Sequence, residues 1–169
     1  YKLLTLAPWS VQECYDLTIA AFNLAEEYRV PVMLMMDECV GHMTEKVIIP
    51  RAEEIEVTPR RYTTQKPGKY LPYQAGRNEI PLMVKAGDGY LFHVTGLTHD
   101  ERGYPAMNAE AHDRCVRHLV EKIRNNARRI IRIEETDTAD AEVVVVSYGI
   151  TSRVAGKAIQ MARADGLKV

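Results

Sequence analysis

Between Val11 and Tyr28 the polar residues Gln12, Glu13, Asp16, Asn23 and Glu27 gather in one wedge when placed at about 100° per residue. Val11, Cys14, Leu17, Ala21, Phe22, Leu24 and Ala25 fill most of the rest, which predicts a helix covered over most of its circumference. Ser10 and Glu13 stand at capping-box spacing: the hydroxyl is expected to accept the Glu13 N–H and the carboxylate to accept the Ser10 N–H. Arg29-Val30-Pro31 ends the helix, because the residue before a proline is pushed out of the α region. A second periodic run extends from about Ala109 to Ile131, with Asn108 as its N-cap. It sets Cys115, Val116, Leu119, Val120, Ile123, Ala127 and Ile130 against Arg114, Arg117, Glu121, Arg124, Asn125 and Arg128. A third helix is expected over Thr151 to Ala164, stopped by Gly166.

The strand signals differ in kind. Leu3 to Ala7 is a short run stopped by Pro8. Pro31 to Met36 shows no period-2 alternation, as expected for a strand buried on both faces of a parallel sheet. Asp37 and Glu38 follow at its carboxyl end, where open α/β sheets usually bind ligands. Glu142 to Ser147 reads as another strand, then a turn at Tyr148-Gly149, with a further strand beginning at Leu167. From about Pro50 to Tyr90, Pro50, Pro59, Pro67, Pro72 and Pro81 recur too often for regular helices. That stretch reads as an extended connector, yet Ile55, Val57, Leu71, Ile80, Leu82 and Val84 make it too apolar for a free linker. The expectation is therefore an α/β chain divided into residues 1–49, a connector over 50–104, and a second α/β piece over 105–169.

Composition narrows the function classes. The chain of 169 residues carries 22 Lys and Arg against 23 Asp and Glu, a net charge of −1. A sequence-independent nucleic-acid binder needs a cationic surplus to release counterions, so nucleic acid is not an expected partner. The longest uncharged apolar run, Val30 to Met36, is far short of the roughly 20 residues that cross a bilayer, so no membrane association is expected. Cys14, Cys39 and Cys115 are too far apart to form a C-x-x-C pair, so they suggest neither a disulfide framework nor a metal site, and a reduced compartment is expected. Tyr1 stands where an intact gene product begins with methionine, and the last predicted strand has only begun at Val169, which points to a section of a longer subunit.

Two clusters are candidates for chemistry. In Val94 to Pro105, His99, Asp100, Glu101 and Arg102 concentrate an imidazole, two carboxylates and a guanidinium between Gly96 and Gly103. This suits an ordered loop around a ligand, though on the residues alone a solvated turn in which Asp100 forms an Asx-turn is preferred. Asp37 and Glu38, with His42 shortly after, suit a proton or divalent-ion site, but with no third ligand identifiable the start of a helix is the preferred reading. The remaining signals are weaker. His118 reads as a solvated surface residue, His112 as a packed one, and the Arg117, Arg124, Arg128 stripe as a mixed-sign exposed face. The Ser147 to Thr151 turn enters a helix N-terminus and is a weak phosphate cradle, with one glycine and no further motif. Tyr62, Tyr70, Tyr73 and Tyr90 suit base stacking or simple packing, and the net charge favours packing.

The run from Ala7-Pro-Trp-Ser-Val-Gln-Glu-Cys through Arg29-Val-Pro-Val32, continuing to Asp37-Glu38 and Gly41-His42-Met43, resembles the alpha subunit of 2-oxoacid:ferredoxin oxidoreductases, most closely the 2-oxoglutarate type. Thr95-Gly-Leu-Thr-His-Asp-Glu-Arg-Gly103 resembles that family's connector, and Glu142-Val-Val-Val-Val-Ser-Tyr-Gly149 its transketolase C-terminal-like domain. The resemblance implies a fold made of parallel-sheet fragments of a thiamine-binding (pyrimidine) domain followed by a transketolase C-terminal-like domain, that is, the C-terminal portion of the subunit. It implies oxidative decarboxylation of a 2-oxoacid with coenzyme A, giving acyl-CoA, CO2 and reduced ferredoxin, in the cytoplasm. Thiamine diphosphate and Mg would serve the complete complex, an iron–sulfur cluster would lie in a partner beta subunit, and this section would bind none of them.

The family's thiamine-activating glutamate, its Tyr-Pro-Ile-Thr-Pro motif and its Gly-Gly-Pro-Ser-Thr-Gly stretch have no counterpart here; the one Tyr-Pro pair, Tyr104-Pro105, stands in another context. No catalytic residue is therefore carried over, and the section alone is expected to be inactive. Asp37, Glu38, His42, His99, Asp100, Glu101 and Arg102 are carried over only as positions near the active site or at a subunit contact. Two further readings stay open: an assembly module that holds neighbouring subunits, and a pyruvate-type or transketolase-like thiamine enzyme.

Overall fold

The structure is a computed structural model describing residues 2–76 and 79–169; the start of the chain at Tyr1 and the Arg77-Asn78 part of the connector lie outside the described residues. The chain divides into two compact units, each built from separated segments. The first gathers Leu24–Pro31 with Thr58–Ile131, and the second Leu4–Asn23, Val32–Val57 and Arg132–Val169.

In the second unit, β1 (Leu4–Leu6) pairs in parallel with β2 (Val32–Leu34), Leu4 opposite Val32 and Leu6 opposite Leu34. Met35 extends the pairing by donating its N–H to the Leu6 carbonyl at 2.8 Å. Leu4 and Leu6 are buried and Thr5 is exposed, the alternation of a strand covered on one face. β2 behaves likewise: Met33 and Met35 are exposed, so the strand expected to be buried on both faces is covered on one. A two-stranded sheet has no central strand to enclose.

Helix α1 (Val11–Tyr28) has the bounds its periodicity predicts. Ser10 Oγ accepts the Glu13 N–H at 3.1 Å as expected, but Glu13 Oε2 returns to the Trp9 N–H at 2.9 Å, one residue earlier than the capping box requires. The expected cover is partial: Leu24 and Tyr28 are buried, most of the helix is half-buried, and Phe22 is 71% exposed. After β2 comes α2 (Glu38–His42), then a 3-10 turn at Ala52–Glu54. Helix α5 (Ile150–Ala164) starts one residue before its expected position. Gly166 stops it at φ 85°, with the Leu167 N–H on the Ala162 carbonyl and the Gly166 N–H on the Arg163 carbonyl, both at 3.0 Å, the two bonds of a Schellman motif.

The strands expected at Glu142 to Ser147 and from Leu167 do not form a ladder. The Glu142 and Val143 N–H groups both converge on the Lys168 carbonyl, at 2.8 and 3.2 Å, and Val143 to Val146 remain exposed. The α/β class therefore rests on the β1–β2 pair and its helices.

In the first unit, Asn108 caps α3 (Ala109–Arg124) by accepting the Ala111 N–H at 2.8 Å. The single helix expected to Ile131 breaks, and α4 (Ala127–Ile130) follows as a separate turn. Asn126 turns its side-chain amide onto the Lys122 carbonyl at 2.8 Å, an alternative to the helical ladder that asparagine readily offers. Among its described residues the proline-rich stretch is extended, with a short parallel bridge between Tyr62 and Met83. Its tyrosines pack: Tyr70 is buried, donates to the Leu82 carbonyl at 2.8 Å, and meets Tyr90 and Phe92 edge-on at 5.6 Å each.

Candidate functional sites

The two sequence clusters fall in different units. In the first unit, the loop around His99 folds into a tight turn closed by an isolated antiparallel bridge, His99 to Pro105. Asp100 organises it: Oδ1 accepts the N–H groups of Arg102 (2.9 Å) and Tyr104 (3.1 Å), and Oδ2 accepts from the Arg102 guanidinium at 2.8 and 2.9 Å. Those Arg102 bonds hold the Asp100 carboxyl below the usual carboxylate range, reinforced by the two backbone N–H groups. Gly103 is buried at φ 86°, and a Cβ there would stand 1.9 Å from the His93 carbonyl oxygen, so only glycine fits the turn.

His99 Nδ1 lies 3.0 Å from the Leu97 carbonyl; the N–H is therefore assigned to Nδ1, leaving Nε2 as the acceptor. The ring packs on Tyr73 with centroids 4.0 Å apart. His99, Asp100 and Glu101 line one side of a cavity of about 480 Å³, while Arg102 turns away to Asp100 and the Tyr104 ring. Across it stand residues of α3 and Arg29, whose backbone takes the uncommon φ of 49°.

The residue that sequence reasoning missed is Lys122. It is 4% exposed, and among the described residues its Nζ reaches only the Arg29 carbonyl, at 3.4 Å. Burial first, then the Arg29 charge, pushes its pKa down to about 8. The signal was present: Lys122 lies seven residues after Cys115 and three after Leu119, on the apolar stripe of the helix. Arg29 sends Nη1 to the Pro72 carbonyl at 2.7 Å and stands over the Tyr73 ring. His118, expected to be solvated, is half-buried in the same wall. His112, expected to be packed, is exposed with Nδ1 3.2 Å from Thr98 Oγ1. Arg117 pairs with Asp113 one turn earlier at 2.7 Å, the ordinary pattern of a mixed-sign helix face.

In the second unit, Asp37 holds the N-cap position of α2 without bonding it. Its Oδ2 instead accepts the Ile150 N–H at 2.6 Å, at the N-terminus of α5. Gly149 makes this approach possible: at φ 60° it has no side chain, and a Cβ would lie 2.2 Å from that oxygen. The turn considered as a phosphate cradle thus holds a carboxylate of its own chain. Glu38 and His42 form an exposed pair 3.8 Å apart on α2, separate from the Asp37 bond. A second carboxylate of this unit, Glu45, accepts from Arg153 at 2.7 Å and from the Val11 N–H at 3.2 Å, and those bonds hold it below the usual range. Among the described residues, no three His, Cys, Asp or Glu side chains gather where they could hold a metal ion.

A family model described as pyruvate flavodoxin/ferredoxin oxidoreductase, thiamine diphosphate-binding, matches residues 1–118, and the chain belongs to that family. The match stops short of Glu142 to Gly149, where the transketolase-like resemblance lies. The 2-oxoglutarate synthase subunit KorA of Methanothermobacter thermautotrophicus is 50% identical over 169 residues, spanning 99% of this chain and 44% of that protein. KorA of Methanocaldococcus jannaschii is also 50% identical, spanning 100% and 45%. A solved 2-oxoglutarate:ferredoxin oxidoreductase from Magnetococcus marinus, with 2-oxoglutarate, coenzyme A and succinyl-CoA bound, is similar at a TM-score of 0.85 and 27% identity, over 99% of this chain and 29% of that one. The chain spans less than half the length of these relatives.

The Gly149 turn is filled by Asp37, and the described residues offer no carboxylate cluster for a metal-bound diphosphate. Among the described residues, no helix is long and apolar enough to cross a membrane.

Proposed function

We propose that this chain is part of the alpha subunit of a 2-oxoacid:ferredoxin oxidoreductase, with 2-oxoglutarate as the 2-oxoacid. The observation that carries this reading is 50% identity to KorA sustained along 99% of the chain. The backbone likeness to an oxidoreductase that binds 2-oxoglutarate and coenzyme A supports it. The reaction would convert the 2-oxoacid and coenzyme A to acyl-CoA and CO2, with the electrons reducing ferredoxin. Thiamine diphosphate with Mg would supply the electron sink that side chains lack.

In this reading a partner beta subunit carries the iron–sulfur cluster, the complex is a cytoplasmic hetero-oligomer, and this section alone is inactive. Residues 1–49 would close the pyrimidine-binding domain, 50–104 would connect, and 105–169 would open a transketolase C-terminal-like domain. His99 to Arg102, with Asp37, Glu38 and His42, would sit near the active site or a subunit contact. An assembly role is compatible with this: Phe22 and Val143 to Val146 are exposed apolar positions of the kind a neighbouring subunit covers.

Co-expression of the full subunit with its beta partner tests the proposal. The expected result is viologen-dye reduction that requires both 2-oxoglutarate and coenzyme A. A complex active only on pyruvate or a branched 2-oxoacid overturns the substrate, and inactivity with every 2-oxoacid overturns the reading.

A further inference from the structure

The chain has eight lysines, and all but one are exposed. Lys122 is the exception: 4% exposed on the apolar stripe of α3, it lines the cavity of about 480 Å³ in the first unit. Among the described residues its Nζ meets a backbone carbonyl, that of Arg29 at 3.4 Å, and no carboxylate. Burial and the Arg29 charge both disfavour the ammonium, so close to half of the amine is uncharged at about pH 8. An exposed lysine at that pH keeps less than about 1% of its amine uncharged. An uncharged amine is a nucleophile, and the half-enclosed cavity gives a small reagent a way to it. Four cations and four carboxylates line the wall, so the charges balance and a strongly anionic reagent finds no surplus to hold it. The acylated side chain also suits its surroundings. An N-acyl lysine has no charge to bury, ends the repulsion from Arg29, and keeps one N–H for the Arg29 carbonyl.

We propose that Lys122 is an acylation site, taking the acyl group of a small acyl thioester that enters the cavity of the first unit. The uncharged Nζ attacks the thioester carbonyl, a C–N bond forms as the C–S bond breaks, and a proton from the nitrogen leaves with the sulfur as a thiol. The products are an amide at Lys122 and a free thiol, so no oxidant or reductant is needed. Cys115 stands in the same wall about two turns earlier on α3 and is a second nucleophile. Its acyl product is again a thioester, whereas the amide is a stable end point.

The test incubates the native full-length polypeptide with S-acetyl-N-acetylcysteamine, a small soluble thioester, and follows each lysine by peptide mass spectrometry. The donor is added from outside, so the readout is independent of any 2-oxoacid activity. At about pH 8, Lys122 is expected to acetylate about tenfold faster, or more, than exposed Lys66 and Lys69, an advantage that shrinks as pH rises towards about 10.5. In urea the advantage should disappear, because it belongs to the folded surroundings and not to the local sequence. Equal or slower acetylation of Lys122 in the folded chain overturns the proposal, as does an advantage that persists in urea or acetyl found on Cys115 but not on Lys122. A larger Lys122 advantage with acetyl phosphate than with the thioester overturns the choice of donor.

Discussion

The two units use the same kinds of residue to opposite ends. In the second unit two carboxylates are spent on structure: Asp37, one of the sequence candidates, caps α5, and Glu45 joins Arg153 to the start of α1. In the first unit a comparable cluster folds one acid into its own turn, through Asp100 and Arg102, while the buried Lys122 reaches a backbone carbonyl, that of Arg29, instead of a carboxylate. Charged residues near a glycine therefore do not by themselves mark a site. What separates the cases is whether a partner within the unit has already satisfied the charge.

The largest effect is expected where backbone blocks backbone. In Gly103→Ala the new methyl must displace the His93 carbonyl and the residue must hold φ 86°, so a loss of roughly 3–5 kcal/mol is expected in denaturant unfolding. Gly149→Ala also meets positive φ, but its obstacle is the Asp37 side chain, which swings aside at the cost of one hydrogen bond. A smaller loss, roughly 2–3 kcal/mol, is expected there. Equal losses would mean that the two turns are held with similar rigidity and would break the contrast between them.

The unpaired lysine has a pH signature. Its pKa of about 8 in the folded chain lies below the value of about 10.4 in an unfolded one. Between those values the unfolded state holds a proton that the folded state has released, so stability rises as pH climbs from about 8 to about 10.5. The gain is on the order of 2 kcal/mol after allowance for solvent screening. Buried Tyr70 and Tyr28 have phenol pKa values pushed up by desolvation and act in the opposite sense at higher pH, so the readout is the difference between the native chain and Lys122→Met. That difference should vanish above about pH 10.5 and favour the methionine variant below about pH 8. A pH-independent difference would mean that a neighbouring carboxylate offsets the Lys122 charge in the folded chain.

What the sequence disclosed follows the range of each interaction. The bounds of α1, the Asn108 cap and the Gly166 stop depend on residues within one turn, and each appears where the pattern puts it. The capping box at Ser10 was half legible, because Glu13 has two neighbouring N–H groups within reach and takes the earlier one. The Asp37 bond spans 113 residues, and no local pattern separates a carboxylate that caps its own helix from one that caps another. Lys122 was overlooked because a lysine on an apolar stripe ordinarily carries its ammonium out to solvent along a flexible stem. The exposed Val143 to Val146 run mark the reverse case: hydrophobic continuity predicts a buried strand, but a ladder needs a partner strand that periodicity cannot supply.

The smallest effect isolates which member of the Asp37-Glu38 pair matters. Asp37→Ala leaves the Ile150 N–H without its acceptor at a partly buried helix start, and about 1 kcal/mol of stability should be lost, as for other N-cap truncations. Asp37→Asn keeps an oxygen in the same place and should recover most of it. Glu38→Ala removes only an exposed pairing with His42 at 3.8 Å and should leave the unfolding midpoint unchanged. If Glu38→Ala proved the more damaging of the two in the isolated chain, α2 rather than α5 would be the helix this cluster supports. If Glu38→Ala instead lowered only the viologen activity of the assembled complex, its carboxylate would serve a contact that the second unit does not make within itself.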